Sequence, residues 1–226
     1  KKQVQKQKTK RKKEFFRKLF IPLSIPLLLW VIYYVTYLID IPTFKLGILP
    51  RNISGLVGIF TSPLIHGGFS HLISNTAPLV FMGLGIFYFY PKVAYKVFAI
   101  IYLGTGILVW IFAREVYHIG ASGIIYGFVS FLFFSGIFRK DNRSIALALV
   151  VIFLYGGLIW GVLPVEKGVS WESHLFGAIV GSFAAFIFRK VDPPKRYDWE
   201  DEKSDTPVEK LEVSYDPEKN KFLDEL

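Results

Sequence analysis

Apolar residues in this chain fall in long blocks separated by short polar breaks. Six of these blocks can each cover a hydrocarbon core, which takes about 20 residues at about 1.5 Å of rise per residue. They run 19–39, 71–90, 93–113, 121–138, 145–163 and 171–188, and each predicts a membrane-spanning helix. Pro22, Pro26 and Pro78 lie inside or near span ends and predict local kinks, which membrane helices tolerate. The predicted fold class is therefore all-α: a polytopic membrane protein, a bundle of six transmembrane helices.

The rest of the chain frames that bundle. Residues 1–18 carry ten Lys or Arg against one acid, Glu14, and form a basic N-terminal segment. Residues 19–190 make the six-helix domain. Residues 191–226 hold twelve of the eighteen acids together with four prolines, as a charged tail with little fixed structure would. The segment Asp40–Ile65 is long for a connector and still apolar, so it is expected to lie partly in the outer leaflet. The sequence opens on Lys1, as a processed or trimmed chain would. The first apolar stretch is expected to be retained as a span, because it is too long for a signal peptide and no small-residue cleavage site follows it.

Composition agrees with a membrane protein: 52% of the 226 residues are hydrophobic and 17% aromatic, with a mean hydropathy of +0.40. The net charge of +9 is concentrated at the N-terminus, where it reads as a flank obeying the positive-inside rule and facing anionic lipid, not nucleic acid. With both termini cytoplasmic, the inner segments carry those ten residues, then Lys92 and Lys96, then Arg139, Lys140 and Arg143, then Arg189 and Lys190. The outer segments carry only Lys45, Arg51, Arg114 and Lys167. The expected location is a bacterial-type plasma (inner) membrane. The chain has no cysteine, which excludes a disulfide framework, thiolate metal ligands and a thiol nucleophile.

Polar groups at membrane depth are costly and usually mark function. Ser122 opens the fourth span in Gly120-Ala121-Ser122-Gly123. Ile124 stands where the soluble-hydrolase motif G-x-S-x-G needs its last glycine, so no nucleophile elbow is predicted. His174 opens the sixth span, with Gly177 and Gly181 at i+3 and i+7 as a small-residue stripe. The fourth span offers a matching face of Ser122, Gly123, Tyr126 and Gly127. If these faces pack, Ser122 meets His174, and Tyr126 lies against the imidazole. A serine beside a neutral histidine is the minimum apparatus for nucleophilic catalysis. Singly, each residue has a plainer reading: Ser122 as a packing residue, His174 as an interfacial cap, His118 as a loop residue. Glu172 either modulates the imidazole or faces water.

His66, His71 and Asn75 flank the start of the second span, His71 and Asn75 sharing one face at i, i+4. A helical zinc site needs H-E-x-x-H, whereas these histidines stand five apart across Gly67-Gly68 with no carboxylate between, so no metal site is expected. Donors on one face suit an oxyanion hole.

His-x4-His-x3-Asn in the second span, Gly-Ala-Ser-Gly with Tyr126 in the fourth, and His-x2-Gly-x3-Gly in the sixth resemble the rhomboid intramembrane serine proteases. The resemblance covers roughly residues 19–189. It implies a Ser122–His174 dyad without an acidic third member, and an oxyanion hole of His71, Asn75 and the Ser122 N–H. It further implies that His66 holds the first outer loop and that Tyr126 orients His174. Gly120, Gly177 and Gly181 would support the site, and no metal or organic cofactor would be used. Substrates would be single-span or polytopic membrane proteins, cut in or beside a span near small residues, with span five as a side entrance. The family's Trp-Arg pair in the first loop is absent; Arg51 is the candidate for part of its role. A catalytically inactive or derlin-like relative that binds membrane clients would keep the helices and lose the Ser or the His, and both are present. A transporter or channel would place ionisable residues along several span centres, which here are almost free of them.

Overall fold

The first helix of the computed structural model, α1 (Lys2–Leu38), is 37 residues long and runs without a break from the basic segment into the first apolar block. At about 1.5 Å per residue it is about 55 Å long, well beyond the hydrocarbon thickness, so its basic half projects past the span that begins at Lys18. The structure describes residues 2–39, 42–164, 168–191, 214–216 and 221–223. The chain divides into two units, Lys1–Pro193 and Pro194–Leu226. In the second, strands β1 (Ser214–Asp216) and β2 (Lys221–Leu223) pair antiparallel. The rest of the expected unstructured tail lies outside the described residues.

In the first unit, α1 is followed by four short helical turns between Thr43 and Leu64, of which α2 (Gly58–Thr61) is α-helical. Then come α3 (Phe69–Phe89), α4 (Ala94–Phe112), α5 (Ser122–Arg139), α6 (Asn142–Tyr155, extended by a 3-10 stretch Gly156–Val162) and α7 (Trp171–Ile187). Among the described residues five helical segments are long and apolar enough to cross a membrane, and α7, at 17 residues, is shorter. The chain is a helical integral membrane protein.

Local chemistry explains the joints. Lys140 takes a left-handed conformation that ends α5. Asp141 then caps α6, its carboxylate accepting from the Ser144 N–H (2.9 Å) and hydroxyl (2.8 Å). The segment from Thr43 to Leu64 is pinned to α4: Trp110 Nε1 donates to the Asn52 carbonyl at 3.0 Å, and Arg51 donates to the Ala113 carbonyl at 2.6 Å. Its Ile53, Val57 and Phe60 remain exposed.

The buried core lies around α5, which packs against α3, α4, α6 and α7. Phe131, Leu132, Ile101 and Ala184 are fully enclosed there. The α5–α7 seam is the tightest. A Cβ on Gly177 would run into the Gly123 carbonyl, and one on Gly181 into the Gly127 carbonyl, so backbone lies on backbone along two successive turns. On the other side of the bundle, Pro22 of α1 sits against Gly83 of α3, and Trp30 donates to Thr76 at 3.0 Å.

Candidate active site

The α5–α7 seam ends at Ser122 and His174. Gly120, in a left-handed conformation (φ +108°), turns the chain into α5 and donates its N–H to the Ser62 carbonyl at 2.9 Å. Ser122 is the first residue of α5, and His174 sits in the first turn of α7. Their side chains meet: Ser122 Oγ is 2.8 Å from His174 Nε2. His174 Nδ1 is 2.8 Å from the Gly161 carbonyl oxygen. A carbonyl only accepts, so Nδ1 carries the hydrogen and the neutral ring turns its Nε2 lone pair toward the serine hydroxyl. Tyr126, one turn along α5, stacks on the imidazole at 4.1 Å between centroids and 6° between planes. Its hydroxyl donates to the Leu158 carbonyl at 2.7 Å.

Across the site, His71 and Asn75 project from α3. A methyl group at Gly120 would stand 2.6 Å from His71 Nε2 and 3.7 Å from Asn75 Nδ2, so the missing side chain leaves room where both residues converge. Asn75 is buried and its Nδ2 has no hydrogen-bond partner among the described residues. Such an orphaned donor beside a polar cavity is set to receive an oxygen. His66 packs edge-on against His71 at 4.9 Å. Burial, reinforced by the neighbouring His71 and opposed by the Leu64 backbone, pushes His66 down to about 4. Among the described residues no three His, Asp or Glu side chains converge on a common point. A cavity of about 1050 Å³ joins Ser122, His174, His71, Asn75 and Tyr126. The arrangement offers a nucleophile, a base and a convergent donor set around one space.

A family model for the Rhomboid domain matches residues 54–191. The chain belongs to the rhomboid family. An uncharacterized protein of Mycobacterium tuberculosis is 37% identical over 150 residues, which is 62% of each chain. YdcA of Bacillus subtilis, named as a candidate rhomboid protease, is 28% identical over 140 residues, 57% of this chain and 65% of that one. RHOMBOID-like protein 4 of Arabidopsis thaliana is 28% identical over 131 residues, 54% and 32% respectively. The match thus spans less than two thirds of the length of the mycobacterial relative. Membership supports a rhomboid-type protease or a related function.

Several residues of this rhomboid site are not singled out by the sequence. Gly161 is one: a side chain there would overlap the Tyr126 hydroxyl and come within 3.2 Å of His174 Nδ1. The carbonyls of Leu158 and Gly161 are others, and backbone acceptors leave no signature in residue type. His118 lies in a loop, as expected, but it is 2% exposed and holds both Ser170 and the Arg114 carbonyl. Burial pushes it below the usual histidine range, partly offset by the Arg114 carbonyl and by Glu172. Glu172 does not face water, as one of its two readings had it. It is 3% exposed, and its carboxylate lies 3.0 Å from Arg114 Nε. That contact is an ion pair without hydrogen-bond alignment. A signal for it exists: a carboxylate at the end of an apolar helix needs a cation, and the expected outer segments offer only four.

Proposed function

We propose that this chain is an intramembrane serine endopeptidase that cuts membrane-protein segments with a Ser122–His174 dyad. The observation that carries the reading is the pair of 2.8 Å contacts on one imidazole, Ser122 Oγ on Nε2 and the Gly161 carbonyl on Nδ1. Together they set the tautomer a general base requires. In the first step Nε2 takes the Ser122 proton as Oγ adds to the scissile carbonyl. The oxygen that becomes negative is received by the Asn75 amide, His71 and the N–H of Ser122, which as the first residue of α5 has no intrahelical acceptor. The imidazolium then gives its proton to the leaving amine, and an acyl-serine remains. Water enters by the same route: His174 takes its proton, the ester collapses, and Ser122 recovers its hydrogen. In place of an acid, the Gly161 carbonyl holds Nδ1–H, and Tyr126 stacks on the ring to keep its plane.

In the same reading α7 is the sixth span, both termini face the cytoplasm, and the membrane is a bacterial-type plasma membrane. The substrates are single-span or polytopic membrane proteins. Full-length chain reconstituted with a single-span reporter should cleave it, Ser122→Ala should not, and a fluorophosphonate should label Ser122 in the parent alone. Turnover by Ser122→Ala would end the serine-protease reading. A parent that binds reporter without cutting it would favour an inactive, client-binding member of the family.

A further inference from the structure

The dyad depends on the register of two chain segments that meet along α5 and α7, and a second connection between them lies outside the cavity's reacting atoms. His118 is four residues before Ser122, and Ser170 is four residues before His174. His118 Nδ1 and Ser170 Oγ are 2.6 Å apart. The direction of this bond is fixed. His118 Nε2 lies 3.0 Å from the Arg114 carbonyl and must donate to it, so in the neutral ring Nδ1 accepts and the Ser170 hydroxyl donates. Ser170 Oγ then accepts from Ser173 Oγ, also at 2.6 Å. The base of this chain of bonds is held by backbone, since His118 exchanges both its N–H and its carbonyl with Ile48 at 2.9 Å.

An ion pair braces the same junction. Arg114 donates to the Val169 carbonyl at 2.7 Å and places Nε 3.0 Å from the buried Glu172 carboxylate. Each partner from α7 or its approach (Val169, Ser170, Glu172, Ser173) is within five residues of His174. Ser173 also seats its carbonyl against Gly123, where a Cβ would stand at 3.1 Å. A histidine that merely buried a loop could find both of its partners on its own segment. This one reaches across to the helix that carries the base.

We propose that His118 and Ser170 are positioning residues whose hydrogen bond, braced by Arg114–Glu172, sets the separation of the Ser122 hydroxyl from the His174 imidazole. The proposal rests on the proteolytic reading for its effect on rate, but not for the existence of the strut. A nucleophile and base displaced by about 1 Å can lose up to about 100-fold in rate.

The test uses the full-length chain carrying His118→Phe, Ser170→Ala, both together, or His118→Asn, whose amide oxygen can still accept from Ser170. Reporter cleavage gives kcat and KM, and amide hydrogen exchange follows the first turn of α7. Each single change should lower kcat roughly 10-fold with KM held within about twofold, and the double should be no worse than either, because the two side chains make one bond. His118→Asn should recover most of the rate, and exchange in the first turn of α7 should rise wherever kcat falls. If His118→Phe does not fold, the smaller Ser170→Ala carries the same expectation. Multiplying losses in the double, or a parent-like kcat in Ser170→Ala, would overturn the strut while leaving the dyad intact. A parent that cleaves nothing, with α7 exchange still responding to Ser170→Ala, would overturn the proteolytic reading and leave the strut standing.

Discussion

Helices α5 and α6 are neighbours in the chain and in space, yet they hold their places in opposite ways. Across the most apolar stretch of α5, 56% of residues are buried, against 11% for α6 with its 3-10 extension. Helix α5 is fixed by glycines that bring the α7 backbone into contact with its own. Helix α6 buries Ser144, Ala148 and Val151 against α5 and turns Leu149, Val150, Phe153 and Leu154 outward. The imidazole of His174 is held from both sides of this contrast. Its partner on Nε2 comes from the close-packed seam, and its partner on Nδ1 comes from the end of the exposed helix. The Tyr126–Leu158 bond is a second tie of the loosely packed extension to the seam. Backbone-level packing thus places Ser122 against His174, while single hydrogen bonds aim the ring.

The strongest test of the seam is Gly181→Leu. The new side chain can be housed only if α7 moves off α5, so stability should fall by more than about 3 kcal/mol and cleavage should drop to background. Thermal melting in detergent and reporter cleavage read the two effects. A Leu that leaves both unchanged would mean that the close approach is not what holds α7. Asn75→Ala, on α3 and outside both regions, calibrates the chemistry. On the proposed mechanism, losing this donor should lower kcat about 100-fold with KM little altered, while slow labelling of Ser122 persists. Gly161→Ala tests the exposed side of the imidazole. Its methyl group would displace the Tyr126 hydroxyl and crowd His174 Nδ1, so kcat should fall on the order of 10-fold with the melting temperature within about 2 °C of the parent. A collapse in melting temperature would show that the end of α6 is as integral to the fold as the seam.

How much of this contrast the sequence carries depends on whether side chains or backbone make the contact. The seam was legible because close helix approach demands small residues, and Gly123, Gly127, Gly177 and Gly181 repeat at four-residue spacing in two apolar blocks. Ser122, Tyr126 and His174 stood out as polar groups at membrane depth. Apart from the start of α1, the predicted span ends lie within about three residues of the helix ends, α6 being taken with its 3-10 extension. Gly161 did not stand out, because it lies among Gly156 and Gly157 in a run with no periodicity, and its role is to offer a carbonyl and an absent side chain. The Arg114–Glu172 and His118–Ser170 pairs join positions 58 and 52 residues apart. Only the packing of α4, α5 and α7 brings them together. The continuity of α1 through the basic segment was missed because the apolar pattern, which marks a span, does not mark a solvated helix.

Acid should act on the seam side and not on α6. All four histidines, His66, His71, His118 and His174, lie on or beside α3, α5 and α7, and none on α6. His66, facing His71, is held at about 4 against 6.5 when unfolded, and His118, facing Arg114 and Glu172, is shifted the same way. As pH falls, the unfolded chain therefore binds protons first. The His66 contribution should be level above about 6.5 and be lost from there toward 4, by on the order of 1–3 kcal/mol, with His118 acting in the same direction. His66→Phe should shrink the slope in a melting series against pH. A slope untouched by that change, or a stability that rises on acidification, would contradict the burial of these rings.

The smallest effect is expected where the contrast is greatest. Phe153 of α6 is 87% exposed and Phe131 of α5 is fully buried, so the same truncation poses the same chemistry in two environments. Phe131→Ala removes a ring from among enclosed side chains and should cost about 3–5 kcal/mol through lost contacts and a residual cavity. Phe153→Ala exchanges ring–lipid contact for methyl–lipid contact in a medium as apolar as the ring, and opens no cavity. Stability should change by no more than about 0.5 kcal/mol, with kcat at the parent value, since no contact to His174 or Tyr126 runs through this face. Melting in detergent and again in lipid separates protein packing from solvation by the surrounding chains. A loss at Phe153 comparable with that at Phe131 would mean that another surface covers this face, a second copy of the chain being the first to test by cross-linking. Helix α6 would then be as firmly held as α5, from outside the chain.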